Sequence, residues 1–430
     1  MGPDCMLVAD FHFDRDKMAY QWDELIIDNN TIDNNPAPSS IWDNNGYIEM
    51  KVPDNGDRVV RQSKEYYRAR GKKLVRAQFT AVLNIDTTAS TTISGATSRI
   101  GMFDNHDDKT AVVGDVGNTG FFFEYRVTDT TTLSSNIPTH PLYVGVRYGA
   151  ITTGTDTLVR QDAFNVNDLN RNSHIRITDW SKLYTFEILY NAIGYVEWSI
   201  YLDGEHVLLH KEYDICKILN TLPRFTMPAR FEITNTETGG SLLLHEMRQF
   251  NTSICVEAGS TVNGCEQSSL ISAYKIKQLT NLSTLLYTID SFSYEPIFSF
   301  RLKDAFIREP VRLYELLYLV HKRGPFTYAI ARNADLSTRN PSVWVDAGPD
   351  CKLEYDITAD IATSITDIIY EQFVDANCHG SVQYNPSKIC VGPASLTSDI
   401  AGNTDIFTIL VRKQSHLKVT SNFSLRWVEN

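Results

Sequence analysis

Long apolar runs are missing from this sequence. None approaches the ~20 residues that a membrane-spanning helix needs, so no such helix is expected. The opening stretch MGPDCMLVADFHFDRDK has one short apolar run, broken by Asp10, and no basic region ahead of it, so it does not read as a secretory signal. Cysteine is sparse: Cys5, Cys216, Cys255, Cys265, Cys351, Cys378 and Cys390, an odd and scattered set with no C-x-x-C spacing to suggest zinc. Cys255 with Cys265, and Cys378 with Cys390, sit close enough in sequence to face each other across a hairpin. The competing reading is of buried thiols. Positive charge is also short. A formal charge of −12 argues against coating nucleic acid, because phosphate binding needs a positive surface. The one basic patch, RVVRQSKEYYRARGKK from Arg58 to Lys73, reads as a solvated edge strand whose charges block edge pairing.

Catalytic signatures are missing as well. There is no G-x-S-x-G elbow, no H-E-x-x-H helix and no G-x-x-x-x-G-K-[ST] loop. A retaining glycosidase needs two carboxyl groups about 5 Å apart, which a strand supplies from alternate positions on one face. The E-x-D-x-E pattern that would do this does not occur, and Glu197 and Asp203 stand too far apart along the chain to replace it. No enzyme activity and no cofactor are therefore expected. The acid-rich turn Asp104-Asn105-His106-Asp107-Asp108 lacks calcium-loop spacing, and an Asp/Asn turn needs no metal. No metal site is assigned.

What is present is strand pattern. The stretch Leu183–Glu212 holds three β-like runs. In the second, Val196, Trp198 and Ile200 alternate with Tyr195, Glu197, Ser199 and Tyr201, the period of a strand with one buried face. Trp198 is the expected core anchor. Asp203-Gly204 then supplies a two-residue hairpin turn. Similar runs recur from Tyr47 onward, separated by Gly, Asn and Asp turns, as in an all-β sandwich. Two stretches, Val311–Arg323 and Ile357–Phe373, also admit a helical reading, the second through an Ile357, Ile361, Ile365, Ile368 stripe. The polar run AGSTVNGCEQSS marks a domain boundary between about residues 259 and 270.

The expected organisation is N-terminal strands and a polar arm over 1–45, a β-sandwich over 46–260 and a second β-sandwich over 266–430. The segment Asp28–Asn45 is dense in Asn, Asp, Pro and Ser, which resist helix and ladder alike. A partner surface would order it through Ile32, Pro36, Pro38, Ile41 and Trp42. Tyr66 and Tyr67, with Tyr201 and Tyr213, are candidates for a contact or sugar-stacking surface, since tyrosine joins an apolar ring to a polar end.

The YLDGE hairpin resembles that of concanavalin-like jelly-roll sandwiches. A more specific likeness lies in an ordered motif set: Arg61-Gln62, QFT at Gln78–Thr80, SRIGMFD at Ser98–Asp104 and GFFFE at Gly120–Glu124. It continues with VGVR at Val144–Arg147, RQDAFNVNDLN at Arg160–Asn170, MPARFEITN at Met227–Asn235 and SICVEAG at Ser253–Gly259. This order is similar to structural, minor-capsid-type proteins of large double-stranded-DNA viruses and of some tailed phages. Tyr67-Arg68-Ala69-Arg70-Gly71 departs from their usual Pro-Gly after the tyrosine, and Phe164 stands where a Trp-rich loop is common. The resemblance implies a jelly-roll sandwich and a capsid protein of the virion, assembled in the host cytoplasm. Its partners would be the major and minor capsid proteins, with homo-oligomers allowed and no nucleic acid bound. The alternative on the same fold is a carbohydrate-binding adhesin or lectin for host attachment.

Overall fold

The computed structural model describes residues 5–13, 16, 18, 21–29, 37–68, 74–86, 96–104, 119–126, 142–150, 153–169, 180–191, 195–202, 204–213, 226–235, 245–257, 275–278, 287–307, 311–322, 324–334, 344–348, 351–357, 365, 367–375, 380–383, 395–400, 402–417 and 419–429. Among these residues there are strands and short 3-10 turns but no α-helix. The chain is all-β. It divides into two compact units between the strand that ends at Glu257 and the one that begins at Lys275.

The first unit is a sandwich of two antiparallel sheets. One has seven strands in the order β10 (Thr153–Arg160), β9 (Leu142–Ala150), β8 (Gly120–Arg126), β7 (Ala96–Phe103), β14 (Thr226–Asn235), β5 (Arg58–Arg68) and β2 (Trp22–Ile27). The other runs β13 (Glu205–Tyr213), β12 (Tyr195–Leu202), β11 (Tyr184–Tyr190), β6 (Val75–Asp86), β15 (His245–Glu257), β4 (Tyr47–Val52) and β3 (Ser39–Asp43), and β1 (Cys5–His12) also pairs with β15. Strands β1, β2 and β3 come from the first 45 residues, so that region is built into the sandwich and is not separate from it. The expected polar arm is correspondingly shorter, since Ser39–Asp43 is strand.

Alternation decides which side chains meet between the sheets. From the eight-stranded sheet come Phe186, Ile188, Tyr190, Val196, Trp198 and Ile200, each at most 1% exposed. From the other come Ile100, Met102, Phe121, Phe123, Phe231 and Ile233, all 0% exposed. Ring centroids of Phe121 and Tyr190 lie 5.2 Å apart, those of Phe123 and Phe186 5.1 Å, and those of Phe79 and Phe231 5.7 Å. Two residues join β12 to β13, and the second, Gly204, takes φ +86°, which only glycine adopts readily.

The basic patch beginning at Arg58 is not an edge strand. β5 lies between β14 and β2, and Val59, Val60, Arg61, Gln62 and Ser63 are all buried. Its charges are tolerated there because they are paired. Arg61, 0% exposed between the sheets, donates to Glu24 and, at 2.9 Å, to Gln249 Oε1, and its guanidinium lies 5.5 Å from the Phe13 ring centroid. Burial pushes its pKa down to about 10 against the pull of Glu24 and Asp23.

The motif at Arg160–Asn170 acts as a latch on β13. The Asn165 side chain donates to Lys211 O at 2.7 Å and accepts from Lys211 N at 3.0 Å, while Val166 N and Asn167 N both donate to Leu209 O. These bonds occupy the outward backbone groups of an edge strand. Gln161, 0% exposed, accepts from Leu142 N and donates to Asp168 O, fixing the latch to the other sheet.

The second unit is again two antiparallel sheets. One orders β16 (Lys275–Gln278), β27 (Val419–Glu429), β19 (Val311–Lys322) and β24 (Gly380–Gln383), with β17 (Tyr287–Ile289) on β27 and β25 (Ser395–Leu396) on β19. The other orders β21 (Val345–Asp346), β22 (Leu353–Asp356), β18 (Glu295–Leu302), β26 (Ile406–Lys413), β20 (Phe326–Arg332) and β23 (Ile368–Val374). Phe300, Phe326, Phe407, Phe423 and Trp427 share one core. Val311–Lys322 is a strand because β27 pairs along nearly its whole length. Of the other helical candidate, Ile368–Val374 is a strand and Ile357 and Ile368 are 41% and 40% exposed, while residues 358–364 and 366 lie outside the described residues. Cys216, Cys265, Cys378 and Cys390 lie outside the described residues, as does the boundary run at 259–270.

Trp198 is 1% exposed and packs 6.3 Å from Phe121 and 5.7 Å from His210. Trp198→Ala should destabilise the first unit by about 3–5 kcal/mol in reversible denaturant unfolding. A loss below about 1 kcal/mol would mean that the opposite face of β12 is the buried one.

Candidate functional site

The ordered motifs converge on one surface, the outer face of the seven-stranded sheet. Register puts Arg99, Gly101 and Phe103 of β7 beside Glu124, Phe122 and Gly120 of β8. It sets Gly145 and Arg147 of β9 against Phe122 and Gly120, and Arg230 and Glu232 of β14 against Gly101 and Arg99. Gln62 of β5 follows beside Arg230, and Asp156 of β10 beside Arg147.

Small residues make room for large ones here. A Cβ on Gly120 would run into Phe103, and one on Gly145 into the Phe122 ring, so the two phenylalanines lie against the sheet. Guanidiniums cover them. Arg147 sits 5.4 Å from the Phe103 ring centroid and 5.6 Å from that of Phe122; Arg230 is 5.3 Å from Phe103 and Arg99 5.4 Å from Phe122. Contacts of this type contribute roughly 0.5–2 kcal/mol each, more when dry.

Around the two rings runs a closed circuit of polar contacts. Tyr66 OH donates to Asp104 Oδ2 at 3.2 Å and accepts from Gln62 Nε2 at 3.1 Å. Gln62 Oε1 accepts from Arg230 Nη1 at 2.9 Å, and Arg230 forks onto Glu232 Oε2 at 3.0 and 2.7 Å. Glu232 also meets Arg58 at 3.1 Å and Arg99 at 3.6 Å. Arg99 donates to Glu124 at 2.5 Å and lies 3.6 Å from Asp156. Asp156 takes both arms of Arg147 at 2.7 and 2.9 Å, and Arg147 Nη1 returns to Asp104 O at 3.3 Å. Arg126 adds a second cation on Glu124.

The charge state of the circuit follows from these partners. Burial alone would raise the Glu232 pKa, but Arg58, Arg230, Arg99 and Arg147 hold it well below the usual carboxylate range. Asp156 is likewise lowered, burial being outweighed by Arg147 and Arg99. Burial would lower the Arg99 pKa, but Glu124, Glu232 and Asp156 raise it. Glycoside hydrolysis needs a carboxylic acid kept protonated by a raised pKa. Glu232 and Asp156 are both pushed the other way, and Glu124 is held between Arg99 and Arg126. The arrangement suits rigid positioning of a surface.

Of the residues singled out from sequence, Tyr66 and Tyr67 are corrected: each is 3% exposed and cannot form a contact surface. Tyr66 belongs to the circuit just described. Pro38 is buried, and Trp42 is half-buried with its indole N–H donating to Phe13 O at 2.8 Å, so these two anchor β3 onto its own domain. Ile41 is 53% exposed. Ile32 and Pro36 lie outside the described residues, as do residues 105–108 of the acid-rich turn. Among the described residues no cluster of His, Cys, Asp and Glu can hold a metal.

On the outer face of the other sheet, Tyr201 OH and Gln78 Nε2 donate to the buried Glu187 carboxylate at 3.0 and 2.8 Å, and His206 approaches it at 3.1 Å. Near the end of the same hairpin Tyr213 is 63% exposed and stands opposite Tyr195. Lys211 Nζ lies 4.2 Å from the Tyr195 ring centroid and 5.2 Å from that of Tyr213, and is paired with Glu197.

The charged circuit itself was not singled out from the sequence, although its signal was present. R-x-G-x-F, G-x-F-x-E, G-x-R and R-x-E each repeat at period two, which in strands means one face.

No family model and no curated protein matches the chain. Solved structures similar to it include a legume lectin-like domain from Entamoeba histolytica, at 11% identity over 57% of this chain and 96% of that one, TM-score 0.32. The carbohydrate recognition domain of Emp47p is 7% identical over 59% and 97%, TM-score 0.36. LamA from Z. galactanivorans, in complex with laminaritriose and laminaritetraose, is 10% identical over 58% and 98%, TM-score 0.36. All three scores fall below 0.5, and the sandwich assignment rests on the sheets themselves.

Glu232 and Asp156, with folded pKa values below the unfolded value of about 4, stabilise the fold above that pH. That contribution is lost as pH falls through their lowered values. Denaturant midpoints should therefore hold between neutrality and about pH 4 and drop below it. Glu232→Gln, which strands Arg230 and Arg58, should cost about 3–5 kcal/mol at pH 7 and flatten the acid limb. An unchanged acid limb in this variant would refute the role given to Glu232.

Proposed function

We propose that the protein is a non-enzymatic structural component of a virus particle, a minor capsid protein that works by contact with other capsid proteins. One observation carries the non-enzymatic part. Glu124, Glu232 and Asp156 on the seven-stranded sheet are each engaged by arginine, and neither Glu232 nor Asp156 has the raised pKa of a general acid. The capsid part is supported by the ordered motifs, whose outward members build that interlocked face. A rigid two-sided sheet suits a component that must hold its shape between neighbours.

A second reading, carbohydrate binding, is favoured by the patch of Tyr195, Glu197, Lys211 and Tyr213. An exposed ring beside a paired cation and carboxylate offers stacking and hydrogen bonding to a sugar. This patch, and not the names of similar structures, carries that alternative.

Screening common polysaccharides should yield no turnover, and any product release by the purified chain would overturn the non-enzymatic reading. In a particle map the chain should lie arrayed within or beneath the shell. A protruding position, with glycan binding weakened about tenfold or more by Tyr213→Ala, would favour the carbohydrate reading, since losing a stacked ring costs about 1.4 kcal/mol or more.

A further inference from the structure

His210 is a buried titratable group with no part in the charged circuit. It lies on β13, 5% exposed, its ring centroid 5.7 Å from that of Trp198 and 5.8 Å from that of Phe164. Phe164 belongs to the latch, and the next residue bonds to the ring: Asn165 N donates to His210 Nδ1 at 3.2 Å. A backbone N–H can only donate, so Nδ1 is the acceptor and the proton of the neutral imidazole sits on Nε2. Nε2 makes no hydrogen bond and stands 3.6 Å from Glu212 Oε2.

The latch is therefore bonded to the neutral ring alone. A second proton turns Nδ1 into a donor, set against the Asn165 N–H that it held before. The other bonds run through the same few residues, from the Asn165 side chain to Lys211 N and O, and from Val166 N and Asn167 N to Leu209 O. One short segment carries them all, so losing the Nδ1 acceptor loosens them together.

Glu212 faces the ring from β13 itself. Lys211 of the same strand pairs with Glu197 of β12, and Asp162 of the latch with Arg160. Asp168, also of the latch, is buried, and its backbone O accepts from Gln161. Burial pushes the His210 pKa down against the pull of Glu212.

We infer that His210 is an acid-operated release for the latch. Neutral, it holds Asn165 against β13; protonated, it lets residues 164–167 come away and frees the outward backbone groups of Leu209 and Lys211. With the latch closed, His210 takes its second proton less readily than a free imidazole does. The closed form is thus fully favoured above the ordinary pKa of about 6.5 and loses ground as pH falls below it. That window lies above the one in which Glu232 and Asp156 act. The loss is capped by the free energy of the latch, so the sandwich stays folded through it.

Hydrogen exchange on the full chain, corrected for the intrinsic pH dependence of amide exchange, reads the latch directly. Protection at Asn165, Val166, Asn167 and Lys211 should fall at least about threefold between about pH 7.5 and about pH 5, while Phe121–Phe123 and Ile188–Tyr190 hold theirs. The ring nitrogen resonances of His210 should show the proton on Nε2 at neutral pH and titrate in step with that fall. His210→Asn offers an uncharged oxygen in place of Nδ1 and should keep the latch closed across the range. Glu212→Gln, a change at a partly exposed side chain, serves if that variant does not fold. It removes the charge that favours protonation and should move the loss to lower pH. Protection that ignores pH, the same loss in His210→Asn, an unmoved or upward shift in Glu212→Gln, or a neutral ring protonated on Nδ1 would each overturn the inference. Loss of protection across both sheets together would mean global unfolding and would overturn it as well.

Discussion

Burial of both faces of the seven-stranded sheet is the constraint on which the first unit depends. One face meets the other sheet through Phe121, Phe123, Ile100 and Phe231, as any sandwich requires. The opposite face would ordinarily be wet, yet Phe103, Phe122, Glu124 and Arg230 on it are 0% exposed. Charges in such a place are tolerable only when paired and hydrogen-bonded. The circuit through Asp104, Tyr66, Gln62, Arg230, Glu232, Arg99, Asp156 and Arg147 meets that demand, and it also fixes which residues flank the glycines. With Gly120 and Gly145 filled by side chains the rings would lift, and the guanidiniums would lose their seats.

The same pairing sets the chemistry. An acid catalyst needs a carboxyl group pushed toward neutrality by burial or by a like charge. Here burial acts in that direction on Glu232, and four guanidiniums overcome it. On this face Glu232, Glu124 and Asp156 each answer an arginine inside the protein, and Asp104 accepts from Tyr66 OH. Ile41 on β3 and Tyr213 on β13 remain more than half exposed.

Edges complete the logic. A sandwich leaves four terminal strands, and an unprotected one is a template for pairing. The Asn165 side chain mimics a strand backbone along β13, and Arg61, Glu24 and Ser40 tie β2 to β3.

The sequence by itself determined the all-β class, the face of β12 that carries Trp198, and the hairpin at Gly204. All of these depend on period-two alternation and turn chemistry, which are local. Tertiary structure decided whatever depends on a neighbour brought in from far along the chain. The patch from Arg58 read as a solvated edge because its charges are conspicuous, yet β14 and β2 enclose it and supply Glu232 and Glu24 as partners. Tyr66 and Tyr67 read as surface because tyrosine joins an apolar ring to a polar end, yet both are 3% exposed. Val311–Lys322, open to a helical reading, is a strand because β27 lies along it, and pairing with a distant segment outweighs local propensity. The charged circuit was written in the sequence as alternating Gly, Phe, Arg and Glu. Its closure joins residues as far apart as Gln62 and Arg230, and only the register of six strands could show that they share one face.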